Sequence, residues 1–341
     1  MTKMKTIFAI IFLALLIPVL LKAPESEAKV YRGKCKSNLT WSYDSKTKTM
    51  VIDCKGDMPD DEQFYDLDMG WRKYYFKTKK VILKKGISSI GAGAFYNFQK
   101  LEEVVLPEGL RIIKYDAFDG CRKLQFINKP STLEVIEKDV FWDVKIKSIS
   151  LKNLKKLGSE CFSGAKLQSV DIPAKCKIED SVFWSCKKLK KVTFEKGVKR
   201  ISYGMFRETG IKNIDIPGSV AQIGTYAFAN CQSLKKAIIN EGVKKISKDA
   251  FSNTALEEIT IPSTVTELGK NAFRWESTEK SSLKKVVIRS KNIKKWGTMV
   301  FGATRDDLVI YVPQSKKAEY EKILRSTNGL DFHAKIVGKN W

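Results

Sequence analysis

CQSLKKAIINEGVKKISKDAF, residues 231–251, decides the fold, because the chain keeps restating it. Aligned on its last residue, the sequence shows rungs ending at Phe95, Phe118, Phe141, Phe162, Phe183, Phe206, Phe228, Phe251, Phe273 and Phe301. Successive steps are 23, 23, 21, 21, 23, 22, 23, 22 and 28 residues. A period of about 22 held along most of the chain specifies a solenoid, in which each unit buries its apolar face only against its neighbours. Within the quoted unit, Leu234, Ala237 and Ile239 alternate with polar residues as a half-buried strand does. Val243 and Ile246 follow, and Ala250-Phe251 close the unit in a short helical or tight-turn segment. The next unit repeats this as Leu256, Ile259, Ile261, Val265, Leu268 and Ala272-Phe273. Pro in IPSTV, IPGSV and LPEGL, and Gly in EKGV and NEGV, mark the intervening turn. They also interrupt every unit, which excludes a long amphipathic helix. The expected unit is strand, turn, short strand, helical turn.

Written as a pattern, LxxVxIPxxVxxIxxxAFxxC, the repeat resembles the BspA-type leucine-rich-repeat family of secreted and surface proteins. The resemblance spans roughly residues 79–313. The segment CKSNLTWSYDSKTKTMVIDCKGDM and Trp71 resemble the hairpin that often precedes such repeats. The resemblance implies a leucine-rich-repeat solenoid, mostly β, with extracellular binding roles and no shared catalytic residues.

Residues 1–28 read as a secretory signal peptide outside the fold. Lys3 and Lys5 form a basic leader, Ile7–Leu21 is an apolar run, and Ser26-Glu27-Ala28 fits a small-x-small cleavage site. The run is short for a membrane anchor, which needs about 20 apolar residues. Removal takes away Lys3, Lys5, Lys22, Glu25 and Glu27, so the formal net charge falls by one from +24. A chain that basic seeks acidic partners or stays soluble through self-repulsion. Export and the lack of a nucleic-acid-binding motif argue against nucleic acid. The expected localisation is secreted or cell-surface associated, with no membrane span in the mature form.

The sequence divides into the signal peptide (1–28), an N-terminal cap (29–78), the repeats (79–305) and a C-terminal cap (306–341). In the first cap, Leu39, Trp41 and Tyr43 alternate, Asp44–Lys48 turn, and Met50, Val51 and Ile52 return as a β-hairpin. Folding it about Lys46 brings Cys35 and Cys54 to the same open end, where an oxidising compartment favours a disulfide. Asn38-Leu39-Thr40 is a glycosylation sequon or a chance match. Asp57, Asp60, Asp61, Glu62, Asp66 and Asp68 match no calcium loop and read as a solvated acidic loop. Trp71, Tyr74, Tyr75 and Phe76 should pack this cap on the first rung. At the other end, Leu308, Ile310 and Val312 form a last strand closed by Pro313. A helix over Lys316–Arg325, with Tyr320, Ile323 and Leu324 on one face and Gly329 as its stop, should cover the final rung.

Catalytic and metal chemistry finds little support. His333 is the one histidine and lies in the tail, whereas Ser-His-Asp and Cys-His hydrolysis need His beside the nucleophile. Without CxxC spacing a zinc site is not expected. Cys121, Cys186 and Cys231 share a column with Phe98, Val144, Ala165, Thr209 and Thr254, so they read as core filler, as do Cys161 and Cys176. These five thiols should be reduced and inaccessible. No cofactor and no enzymatic activity are expected.

Two features remain as candidate binding residues. Basic doublets recur at fixed offsets in alternate rungs: Lys190-Lys191, Lys235-Lys236 and Lys284-Lys285 in the first strand, and Lys199-Arg200, Lys244-Lys245 and Lys294-Lys295 in the second. Alternate rungs are about 10 Å apart, near the Debye length at physiological salt. The ladder either spaces solvated charge or meets a repeating anionic surface. The insertion Arg274–Ser281 lengthens one rung and carries Trp275, an exposed aromatic or a side chain folded back on the convex face. The function expected is recognition of an extracellular protein on a host or neighbouring cell, as in adhesion. The alternative is binding of an anionic cell-wall or matrix polysaccharide by the ladder.

Overall fold

The structure is a computed structural model and describes residues 28–35, 39–61, 69–276, 281–302, 305–327, 330 and 333–341. The apolar leader before Ala28, Asn38 of the sequon, Glu62, Asp66, Asp68 and Gly329 lie outside the described residues, as does the centre of the insertion.

One rung explains the rest. In the strand Lys236–Ile239, Ala237 and Ile239 point inward while Lys236 and Ile238 are exposed. Gly242, at a φ of 115° that side-chain-bearing residues rarely adopt, turns the chain into the short strand Lys245–Ile246. The segment that carries the anchor Phe is a tight turn, not a helix. Asp249 and Asn253 bracket Phe251 in the left-handed region, with φ of 52° and 54°. The amides of Asp249, Phe251 and Asn253 donate to Lys270, Ala272 and Arg274 of the next rung. A helix would use those donors within its own turn. Other rungs do the same: Phe95 donates to Ala117, Phe118 to Val140 and Phe273 to Val300. Third in each rung, therefore, is a one-way ladder whose N–H groups face the C-terminal neighbour and whose carbonyls face the N-terminal one.

Stacking the rungs gives two walls of parallel strands, one of long strands divided into four hydrogen-bonded segments and one of short strands divided into two, with the turn ladder as the third wall. The anchor phenylalanines fill the interior. From Phe95 to Phe301 neighbouring rings stand 5.1–6.0 Å apart with planes within 19° of parallel. Offset stacking of this kind adds to the hydrophobic term. The Cys and Thr column beside them caps carbonyls. Cys121, Cys186 and Cys231 point their sulfurs at the oxygens of Phe95, Phe162 and Phe206, at 3.0–3.2 Å.

The first cap is larger than a hairpin. β1 (Val30–Cys35), β2 (Leu39–Asp44) and β3 (Thr49–Cys54) form an antiparallel unit, and β3 pairs in parallel with Lys80–Leu83 of the first rung. The cap sheet thus continues into the long-strand sheet. Its second task follows from the one-way ladder, because the first turn presents carbonyls with no preceding rung to satisfy them. The amide of Asp61 donates to Ala92 O, Trp71 Nε1 to Ala94 O at 3.1 Å, and the Arg72 guanidinium to Gly93 O and Tyr96 O at 3.0 and 3.3 Å. Asp61 lies 3.1 Å from Arg72, both side chains almost wholly buried. Asp61 is therefore buried rather than solvated as expected, whereas Asp57 is exposed and Asp60 half-buried. Asp57 accepts hydrogen bonds from Ser88 and Ser89, and Asp60 forms an ion pair with Lys114 at 2.9 Å.

At the far end the helix spans Lys317–Thr327 and buries Tyr320 and Leu324, with Ile323 half-buried. Tyr320 Oη donates to Ser290 O, and its ring meets Trp296 edge-on at 5.0 Å. Val309–Pro313 is not the last strand. Lys335–Lys339 pairs beyond it in parallel.

Candidate recognition surface

The outward residues of the long-strand sheet form columns, because the rungs pair in register. One column runs Ser169, Lys191, then Asn213, Lys236, then Glu258, Lys285. Lys191, Lys236 and Lys285 therefore share one face, separated by neutral or acidic residues. Lys190, Lys235 and Lys284 precede them, exposed, and their amides anchor the strand to the previous rung. On the short-strand sheet Arg200, Gln222, Lys245, Glu267 and Lys295 form one column. Lys199, Lys244 and Lys294 sit exposed beside it.

Part of this charge is matched, at Lys245, Lys285 and Lys295. Glu267 lies 3.2 Å from Lys245 and 3.0 Å from Lys295, and hydrogen bonds from Lys295 and Lys245 hold its carboxyl below the usual range. Lys285 pairs with Glu258 at 3.2 Å. Lys190, Lys191, Lys199, Arg200, Lys235, Lys236 and Lys244 form no ion pair among the described residues. Lys284 and Lys294 form none either among the described residues, so the ladder stays basic along most of its length.

Beside the Lys column lies a second one that charge alone does not reveal. Ile238 is 42% exposed. Thr260, Val287, Tyr311 and Val337 take the same outward position in later rungs, in register from Thr260 onward and each half-buried. Lys339 Nζ sits 5.6 Å from the Tyr311 ring centroid. This is an apolar stripe with a charged margin. Its signal in the sequence is a break in the alternation: Ala237-Ile238-Ile239, Val286-Val287-Ile288 and Ile310-Tyr311-Val312 each put one apolar residue on the solvent face. Phe126, in the Glu103 column of an earlier rung, is 62% exposed.

The remaining candidates fall elsewhere. Trp275 is half-buried, its amide tied to Gly302 O and its Nε1 buried, so it is not an exposed aromatic. Cys35 and Cys54 share an end of the cap, but Cys35 pairs with Leu39 and Leu39 with Cys54. Their Cα atoms stand two strand spacings apart, about 10 Å, whereas a disulfide spans less than about 7 Å. The expected bond requires the end of β1 to leave Leu39. Cys121, Cys161, Cys186 and Cys231 are buried, and burial pushes the thiol of Cys186 up to about 12 and that of Cys231 to about 11. Cys176 departs from the expectation. It is half-exposed and lines a cleft with Lys177, Lys199 and Arg200. The cause is a missing residue: Ile172 to Ile178 spans six positions, against seven for Ile216 to Ile223. The single histidine, His333, is exposed beyond the helix.

Comparison with known proteins follows the same lines. The sequence profile of the BspA-type leucine-rich-repeat region matches residues 73–187 and 155–280, in six copies. No curated protein matches the chain. A leucine-rich-repeat protein of Bacteroides ovatus is similar in structure, with a TM-score of 0.63 and 24% identity over 81% of this chain and 70% of that one. One from Eubacterium ventriosum gives 0.58 and 20% over 83% and 84%. At such identities the likeness concerns the fold.

Proposed function

We propose that this chain, which belongs to the BspA-type leucine-rich-repeat family, is an exported recognition protein that holds a partner protein against its long-strand sheet. Solenoids of this kind commonly serve as binding scaffolds, and the family supports a role in protein interaction. The finer reading is recognition or adhesion at or outside the cell surface, and the basic, apolar leader of residues 1–28 supports export. One observation carries the choice of face. The stripe from Ile238 to Val337 offers apolar side chains on a rigid sheet, with Lys236, Glu258, Lys285 and Lys339 at its margin, the arrangement of an interface core with a polar rim.

The test is capture of extracellular proteins by immobilised protein lacking residues 1–28, beside an Ile238→Asp/Val287→Asp variant. Capture that persists at high salt and is lost in the variant supports the reading, and capture indifferent to the variant refutes it. The second reading, binding of an anionic cell-wall or matrix polysaccharide, is favoured by the unmatched charge at Lys190, Lys191, Lys199, Arg200, Lys235, Lys236 and Lys244. It predicts binding that falls steeply with salt and disappears on Lys→Glu reversal of Lys190, Lys191, Lys235 and Lys236.

A further inference from the structure

The turn wall carries a second feature, remote in kind from the sheet face. Directly after the anchor Phe, three successive rungs place Trp142, Ser163 and Trp184 in one column. The adjacent anchor rings are 5.4 and 6.0 Å apart. The two tryptophans are therefore two rungs apart, with the small Ser163 between them. In the next column Gly120 and Gly164 bring no side chain, at φ of 72° and 70°. The result is a cleft of about 290 Å³, walled by Trp142 and Trp184 and bordered by Asp119, Arg122, Asp143 and Ser185.

We infer that this cleft binds a neutral pyranose of a glycan chain between Trp142 and Trp184. Three observations point to that ligand. First, the walls are aromatic and one is open: Trp142 is 46% exposed. Trp184 is steadied by the Arg207 guanidinium, 5.6 Å from its ring centroid. Second, polar groups stand ready. Ser163 is 1% exposed and lines the cleft, and the indole N–H of Trp184 is buried with no hydrogen-bond partner among the described residues. Third, the charges at the mouth balance. Asp143 lies 3.6 Å from both Arg122 and Lys166. The cleft offers acceptors and donors for hydroxyl groups without a net charge to draw an ion. A peptide aromatic would leave the carboxylates at the rim unused.

The test follows tryptophan fluorescence and heat of binding with cellotetraose, chitotetraose, mannotetraose and a tyrosine-rich peptide, each alone at millimolar concentration. The expected result is saturable binding of at least one oligosaccharide. Trp142→Ala should weaken it by roughly tenfold or more, Trp142→Tyr should weaken it less, and the exposed Arg122→Ala should weaken it with circular dichroism unchanged. No response to any of the sugars overturns the assignment. So does binding of the peptide alone, or sugar binding indifferent to both Trp142→Ala and Arg122→Ala. The cleft lies off the long-strand sheet, so neither outcome bears on partner capture by Ile238 and Val287.

Discussion

Replacing Arg72 by Ala should unfasten the solenoid from its N-terminal end. The guanidinium donates to Gly93 O and Tyr96 O and stands 3.1 Å from Asp61, with side-chain exposures of 4% and 0%. Its removal leaves a buried carboxylate beside carbonyls that no earlier rung can satisfy. Breaking a buried pair by deleting one partner costs about 3–5 kcal/mol, and the lost carbonyl bonds fall within that range because the effects are not additive. In a repeat protein the loss should be local. Hydrogen exchange should accelerate first at the amides of Gly93, Phe95 and Asn97, well before those of Phe228 and Asn230. Urea denaturation followed by circular dichroism gives the total, and exchange followed by mass spectrometry gives the place. The double variant Asp61→Asn/Arg72→Met, which removes both charges, should cost less than Arg72→Ala. A cost for Arg72→Ala below about 1 kcal/mol, with exchange unchanged in the first rung, would refute the capping argument.

Phe228→Ala should cost on the order of 3–5 kcal/mol, because its ring is wholly buried between Phe206 and Phe251; an unchanged thermal midpoint would sink the register. Asp116 and Asp119 have carboxyls raised to about 6, chiefly by burial. A raised folded-state value means stability is fullest below the unfolded value and falls as pH rises through the folded one, so their drain should grow between about pH 4 and 6. Asp116→Asn, which suits the left-handed backbone there, should raise the melting temperature at pH 7 and flatten that window; a lower melting temperature at pH 7 contradicts it. Alkylation of the native protein should reach Cys176 first, and faster at higher pH, because burial holds its thiol near 11. Denaturation should then expose all 7 cysteines, and a shortfall of two would mean that β1 leaves Leu39 and lets Cys35 join Cys54.

What the sequence made legible was whatever a single rung must do for itself. A large aromatic at one depth in every rung has to recur, so the Phe column and its period could be read directly. The inward alternation of Ala237 and Ile239, and the apolar face of the helix at Tyr320 and Leu324, followed from the same rule. Interactions between rungs were harder to see. The left-handed positions flanking each Phe hold Asp, Asn, Ser, Glu, Gly, Tyr and Met. Hydrogen bonds to the next rung impose that backbone, and residue type carries little of the signal. Asp57, Asp60 and Asp61 looked like a solvated acidic run because their partners Ser88, Ser89, Lys114 and Arg72 lie elsewhere in the chain.

The candidate surface divides the same way. The Lys doublets were visible as a pattern, but Glu267 bridging Lys245 and Lys295 emerges only once the rungs are in register. The stripe through Ile238, Val287 and Tyr311 was written in the sequence as breaks in alternation. Trp142 and Trp184 gained meaning only with Ser163 between them.

Site-specific photocrosslinking puts the recognition surface to the most direct test. A photoreactive residue is placed at Ile238 or Val287 on the stripe, or at the exposed Lys248 on the turn wall, and each protein is exposed to the extracellular proteins it captures. The account predicts the same crosslinked partner from positions 238 and 287 and none from 248. Crosslinks from 248 with none from 238 and 287 would contradict it.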